Sequence, residues 1–379
     1  MALLSLSLLA CEEPAAAPAV ADTADSTGST DSAPGDSTES ADSAPAEIPA
    51  LEVRFLAVGG FHFQVGPDAL ITAPLYTNPD LWNTLTQPVA SDPEVISRFL
   101  GDVSDARAVL VGHAHYDHLL DVPYVRNQTD DATVYGNETV ANILAAFAPD
   151  PEPECTDRED PGAEFYVPPD RVVNVDAFVD YRNCGDVLPC SGFTVGSPGE
   201  WIPVEGTHAR IKAICSSHPD QFWIIHFGQG CIDDPQCSPP SLAQDWLEGT
   251  TLAWLVDFLD TAGNPVFRVY YQDAPTDPPV GLPSADELAE KGVDLAILNA
   301  GNYDAVEDAP GGTIRWLQPR YVIMGHWEDF FTTLDQPLQP LPFMDLDALR
   351  ARLEAERPGE EGTTWWIPDP GTEFSFESE

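Results

Sequence analysis

A cluster of three histidines and an aspartate constrains this chain more than any other feature. Gly112-His113-Ala114-His115-Tyr116-Asp117-His118 follows directly on the apolar run Ala108-Val109-Leu110-Val111, which reads as a buried strand delivering a loop. His113 and His115 alternate, so in an extended loop their rings share a side and suit one metal. Asp117 and His118 follow on a turn and suit a second. Imidazole nitrogen with carboxylate oxygen favours zinc, and iron or manganese occupy similar mixed sites. Histidine is scarce, 8 in 379 residues, so composition does not explain the cluster.

The N-terminal part has a different character. Met1 to Ala10 is apolar and Leu8-Leu9-Ala10-Cys11 looks like a bacterial lipobox, with Cys11 as the lipidated residue. Such a stretch is too short for a bilayer, which takes about 20 residues, but fits a signal-peptide core of roughly 7–15. No Lys or Arg precedes it, a departure from an export signal. Residues 12–49 hold nine acids among Ala, Ser, Thr, Pro and Gly, with no base before Arg54. That composition cannot bury enough apolar surface to offset chain entropy, so it reads as a disordered linker between an anchor and a body at 50–379. Removing those nine acids from the formal charge of −47 leaves −38. A body so acidic repels phosphate backbones and argues against nucleic acid as a partner.

Six further cysteines, Cys155, Cys184, Cys190, Cys215, Cys231 and Cys237, suggest disulfides in an exported chain. Closeness in sequence favours Cys184 with Cys190 and Cys231 with Cys237, leaving Cys155 with Cys215. The spacings do not form the paired CxxC knuckles of a structural zinc site. The stretches 149–199 and 220–250 are rich in Pro, Gly, Asp and Cys and read as two insertions.

Elsewhere, alternation marks strands at 51–58, 61–65, 69–73, 133–135 and 210–215, a hairpin over 251–260 and 266–271, and buried strands at 294–299 and 320–325. Helical spacing marks 93–103, 138–147 behind an Asn137 cap, and 345–357. The last residues add an edge strand. His62 reads as a sheet residue, and Asn302-Tyr303-Asp304 follows a strand as a loop.

The phrase from His113 to Asp121 resembles the HxHxDH signature of the metallo-β-lactamase superfamily of metal-dependent hydrolases. Within it, the phrase looks most like the branch that includes the N-acylphosphatidylethanolamine phospholipase D and ascorbate-6-phosphate lactonase types. The resemblance implies an α+β fold, an αββα sandwich with two metals, usually zinc, at one edge. It implies a further histidine at a later strand end, which His218 fits after Arg210–Cys215, with His208 and His226 as rivals. Asp273, after the strand 266–271, resembles the carboxylate that bridges the metals, although relatives more often read Gly-Asp-Thr there. His326, in Gly325-His326-Trp327, resembles the terminal histidine. The implied set is His113, His115 and His218 for one metal, Asp117, His118 and His326 for the other, and Asp273 between them.

By the same resemblance, Asp117 orients the attacking water or moves its proton, while Tyr116 and Asp121 support the ligands. Relatives often end the 69–73 strand in Asp-Pro, whereas Ala73-Pro74 stands here, so a usual supporting carboxylate is missing. The implied function is a dinuclear hydrolase cleaving an ester, lactone or phosphodiester. The alternatives are a phospholipase D-like activity on membrane lipids and a non-catalytic, metal-containing surface binding protein. Implied partners are a small-molecule or lipid substrate and a membrane reached through a lipid on Cys11, at the bacterial cell envelope as an outer-membrane or surface lipoprotein.

Overall fold

A computed structural model describes residues 48–150, 152–185, 190, 196–219, 228–356 and 363–378. The chain divides into a unit of residues 1–46 and a unit of residues 47–379. The first, with Cys11, lies outside the described residues, as do 220–227 with His226.

The larger unit repeats one plan twice. In the first half β1 (Leu51–Ala57), β2 (Gly60–Val65) and β3 (Asp68–Thr72) form an antiparallel meander, and β4 (Ala106–Leu110), β5 (Thr133–Gly136) and β6 (Val172–Asn174) extend it in parallel. In the second half β7 (Ile202–Pro203), β8 (Ala209–Cys215), β9 (Leu252–Leu259) and β10 (Pro265–Gln272) are antiparallel, followed in parallel by β11 (Leu295–Asn299), β12 (Tyr321–Gly325) and β13 (Thr364–Trp366). The last strand, β14 (Glu373–Phe376), returns to the first sheet and pairs with β1. Among the described residues each sheet therefore has seven strands.

Burial explains the layers. One core joins the inner faces of both sheets, with Phe55, Phe61 and Phe63 of the first and Trp254, Phe258 and Tyr270 of the second. On the outer face of the first sheet, Val109 and Val134 meet apolar residues of α2 (Pro93–Phe99), α3 (Tyr116–Leu119), α4 (Val122–Arg126) and α5 (Glu138–Leu144). β4 and β11 are covered on both faces and so read as continuous apolar runs. α6 (Ala285–Glu290), α7 (Gly311–Leu317) and α8 (Leu346–Ala355) belong to the second half, where Ile314, Leu349 and Leu353 join the core. α1 (Leu81–Thr86) stands between β3 and α2. Caps set the helix starts: Asp92 accepts from Glu94 and Val95 N–H with Pro93 in the first turn, and Ser284 forms a capping box with Glu287. Two sheets packed face to face with helices outside them make an αββα sandwich, the architecture that the sequence resemblance implies, and among the described residues no helix is long and apolar enough to cross a membrane.

The disulfide pairing departs from the sequence reading. The bonds are Cys155–Cys237, Cys184–Cys215 and Cys190–Cys231. Nearness in sequence misleads here because the segment around Asp180 runs beside β8, with Asp180 N–H donating to Ala213 O and Cys215 N–H donating to Asp180 O. That contact carries Cys184 to the end of β8. The other two bonds tie the first insertion to the second, where Gln236 N–H also donates to Asn142 O.

Candidate metal centre

The site lies where strand ends from both sheets meet. The loop after β4 is fastened to the opposite sheet by Leu252 N–H to Gly112 O at 2.7 Å and Ala114 N–H to Glu248 O at 2.9 Å. Gly112 is required for this approach, because a Cβ there would run into the Asp273 carboxylate. His113 and His115 sit on that loop, and Asp117 and His118 in the first turn of α3. From the second sheet come His218 after β8, Asp273 after β10 and His326 after β12. His326 has φ of 56°, a left-handed backbone that L residues adopt at a cost.

Three donor sets converge: His113, His115 and His218; Asp117, His118 and His326; and His113, His118 and Asp273, with the donor atoms of each set within 4.8 Å of one another. His113 Nε2 and His115 Nδ1 are 3.0 Å apart, close to the roughly 3.3 Å that two nitrogens on one tetrahedral zinc require. His326 Nε2 lies 3.3 Å from Asp117 Oδ2, and His118 Nε2 lies 3.7 Å from the same oxygen.

Asp273 stands on the other side of the rings. Its Oδ2 accepts from His113 Nδ1 at 2.7 Å, while Oδ1 lies 2.9 Å from His118 Nδ1 and accepts from the Tyr271 hydroxyl at 2.5 Å. Its oxygens therefore face the ring edges opposite those that meet His115 and Asp117, which is not the open position between two metals that the resemblance implies. β3 ends at Thr72, followed by Ala73-Pro74, and the carboxylate behind His113 and His118 comes from the facing sheet instead.

The electrostatics fit a cation. Metal ligation needs unprotonated imidazole and ionised carboxylate. Burial, with His113 adding to it, lowers the His115 pKa to about 3. Burial opposes ionisation of Asp117, yet His118 and His326 outweigh it and hold its pKa far below the ordinary range. Asp273 is likewise held low against its burial by His118 and His113. Burial works against charge on His118, but Asp273 and Asp117 prevail and raise it to about 9, so this spot favours positive charge, which an ion would supply.

The remaining sequence candidates fall elsewhere. His208 is exposed and pairs with Asp68 at 3.3 Å, and His62 bonds Asp105 at 2.9 Å. Asp121 does not touch the ligands. Its buried carboxylate accepts from Tyr76 N–H, Thr77 N–H and the Thr77 and Ser91 hydroxyls, fixing the loop that carries α1. Burial pushes its pKa up. Tyr116 lines the cavity beside the ligands, as do Asn302, Tyr303 and Asp304.

Three contributors were missed by sequence reasoning. The Tyr271 hydroxyl also lies 2.9 Å from Gly59 O, Asn299 donates its amide to Asp273 O, and buried Glu328 accepts from Val58 N–H at 2.6 Å. The first had a signal: residues two apart on a strand share a face, so Tyr271 had to accompany Asp273. A cavity of about 370 Å³ opens over His115, Asp117, His218 and His326.

An αββα sandwich with His and Asp donors gathered at the ends of its strands defines the class of molecule. No protein-family model matches the chain, and no curated protein matches it. Similar solved structures include the metallo hydrolase Igni18 from the archaeon Ignicoccus hospitalis, at 12% identity over 86% of this chain and 99% of that one, TM-score 0.45. The metallo-beta-lactamase fold protein YhfI from Bacillus subtilis is similar at 13% identity over 86% and 99%, TM-score 0.45. Isothiocyanate hydrolase from Delia radicum gut bacteria is similar at 13% identity over 86% and 99%, TM-score 0.43.

Proposed function

We propose that the chain is a metal-dependent hydrolase that holds two divalent ions, zinc by preference, and cleaves an ester, lactone or phosphodiester. The observation that carries this reading is the convergence of three His/Asp donor sets beneath one cavity. His113, His115 and His218 would hold one ion, and Asp117, His118 and His326 the other. Ions at such donors supply an acidified water and a polarised substrate oxygen. Asp117, held ionised, would orient the water by accepting a hydrogen bond from it; Asp273 would fix the His113 and His118 rings by their far edges. Hydrolysis adds the water oxygen to the attacked carbon or phosphorus, breaks its bond to the leaving oxygen, and returns a proton to that oxygen.

The test is metal stoichiometry by elemental analysis beside turnover on the same samples. The parent should carry two ions and turn over. His326→Ala should lose one ion and its activity, keeping the ion at His113, His115 and His218. Two ions with no turnover on any ester, lactone or phosphodiester would favour a binding protein, and no more than trace metal would defeat the proposal. From the lipobox-like Leu8–Cys11 we also infer a lipid anchor at the cell envelope. Equal fatty-acid labelling of the parent and Cys11→Ala would refute that inference.

A further inference from the structure

We infer that the substrate is an uncharged carboxylic ester or lactone carrying an apolar acyl group, not a phosphodiester; this rests on the hydrolase reading above. Beside the donors, the cavity is lined by Leu81, Leu85, Phe330, Phe331, Leu341 and Met344, with Ala274 and Pro275 directly after Asp273 and the uncharged Thr84, Gln244, Asn299 and Asn302 as its polar part. Phe343 lines it as well. A concave site lined by large apolar side chains suits an apolar ligand.

The charges point the same way. Among the described residues no Lys or Arg lines the cavity. The charged residues that do line it are acids and the candidate ligands, Asp304 among them. Phosphate recognition uses arginine or lysine for the oxygens that the metals leave free. A phosphodiester here would have its non-reacting oxygen facing an apolar wall and an aspartate, in the field of a protein with a formal charge of −47. A carboxylic ester brings no such charge. Water adds to its acyl carbon, the acyl carbon–oxygen bond breaks, and the alcohol leaves with a proton while the acid is released. The released carboxylate is then repelled by the same acidic surroundings.

The experiment has a binding arm and a turnover arm. Butanamide, hexanamide, octanamide and diethyl phosphate are titrated into metal-free full-length protein by calorimetry. Affinity should rise about fourfold per added methylene, with no binding of diethyl phosphate. In the turnover arm, the zinc-loaded protein is given 4-nitrophenyl acetate, butyrate and octanoate and bis(4-nitrophenyl) phosphate. The octanoate should exceed the acetate in kcat/KM by tenfold or more and the phosphodiester by a hundredfold or more. Phe343→Ser and Leu85→Ser should each reduce the octanoate-to-acetate ratio, and Gln244→Lys, which puts a cation on the cavity wall, should raise the phosphodiester-to-ester ratio. A flat amide series, or a phosphodiester rate equal to or above the octanoate rate, would overturn the inference while leaving a hydrolase in place. A rising amide series with no turnover of any substrate would instead defeat the hydrolase reading and uphold the selectivity of the cavity.

Discussion

Replacing Asp273 with Asn tests how the donor sets are held together. The carboxylate meets three groups with two oxygens: His113 Nδ1 at 2.7 Å, His118 Nδ1 at 2.9 Å and the Tyr271 hydroxyl at 2.5 Å. An asparagine offers one accepting oxygen and one donating NH2. Whichever way the amide turns, one ring N–H faces a donor and loses its orientation. Loss of such a supporting partner costs roughly 10–100-fold in metal affinity, or about 1.4–2.7 kcal/mol, and it should fall on one ion more than the other. A carboxylate that bridged two ions would weaken both alike. Chelator competition, following each ion separately, reads the difference. Tyr271→Phe is the companion variant, because it leaves the carboxylate and removes only one of its donors, and its effect should stay below tenfold. Parent affinity for both ions in Asp273→Asn would refute the orienting role, as would equal losses at the two sites.

Three further outcomes follow from the rest of the molecule. Asp176 is buried between Glu138 N–H and the Tyr181 hydroxyl, and burial raises its pKa to about 6. The folded state therefore binds this proton more tightly than the unfolded chain, so stability is present below the unfolded value of 3.8 and lost as pH rises to about 6. Asp176→Asn should then gain roughly 2–3 kcal/mol on the parent between pH 4 and 7, read from denaturant midpoints, and an unchanged difference across that range would contradict it. Arg268 is fully buried, pairing both oxygens of Asp257 and donating to Glu287 O and Lys291 O of the α6 end. Arg268→Ala leaves that carboxylate short of a partner and should cost about 3–5 kcal/mol in thermal or denaturant unfolding. Peptide mapping without reductant should recover the pairs 155–237, 184–215 and 190–231, and recovery of a 184–190 or 231–237 peptide would count against the described arrangement.

What could be read in advance depended on how local the cause was. His113, His115, Asp117, His118, Asp273 and His326 each lie where an apolar run stops, and a run that stops is visible in one dimension. The same holds for the hairpin β9–β10 and the Asn137 cap of α5, whose side chain accepts from Val140 N–H. The disulfides were not legible, because which cysteine meets which is decided by the course of residues 180–184 beside β8, and no neighbour in sequence records that course. The face of Asp273 was hidden for the same reason. Its position after β10 is local, but whether its oxygens point between the metals or behind His113 depends on the distance between two sheets at Gly112. That gap is set from both sides, by Leu252 N–H on Gly112 O and by the Tyr271 hydroxyl on Gly59 O. The donors of either set thus come from both sheets, and an ion bound there would join them. Binding only to the folded sandwich, it would stabilise the fold in proportion to the logarithm of its concentration over its dissociation constant. A change at Gly112 or Tyr271 would therefore act on a bound ion without touching it, by moving the sheet ends that bring the candidate ligands together.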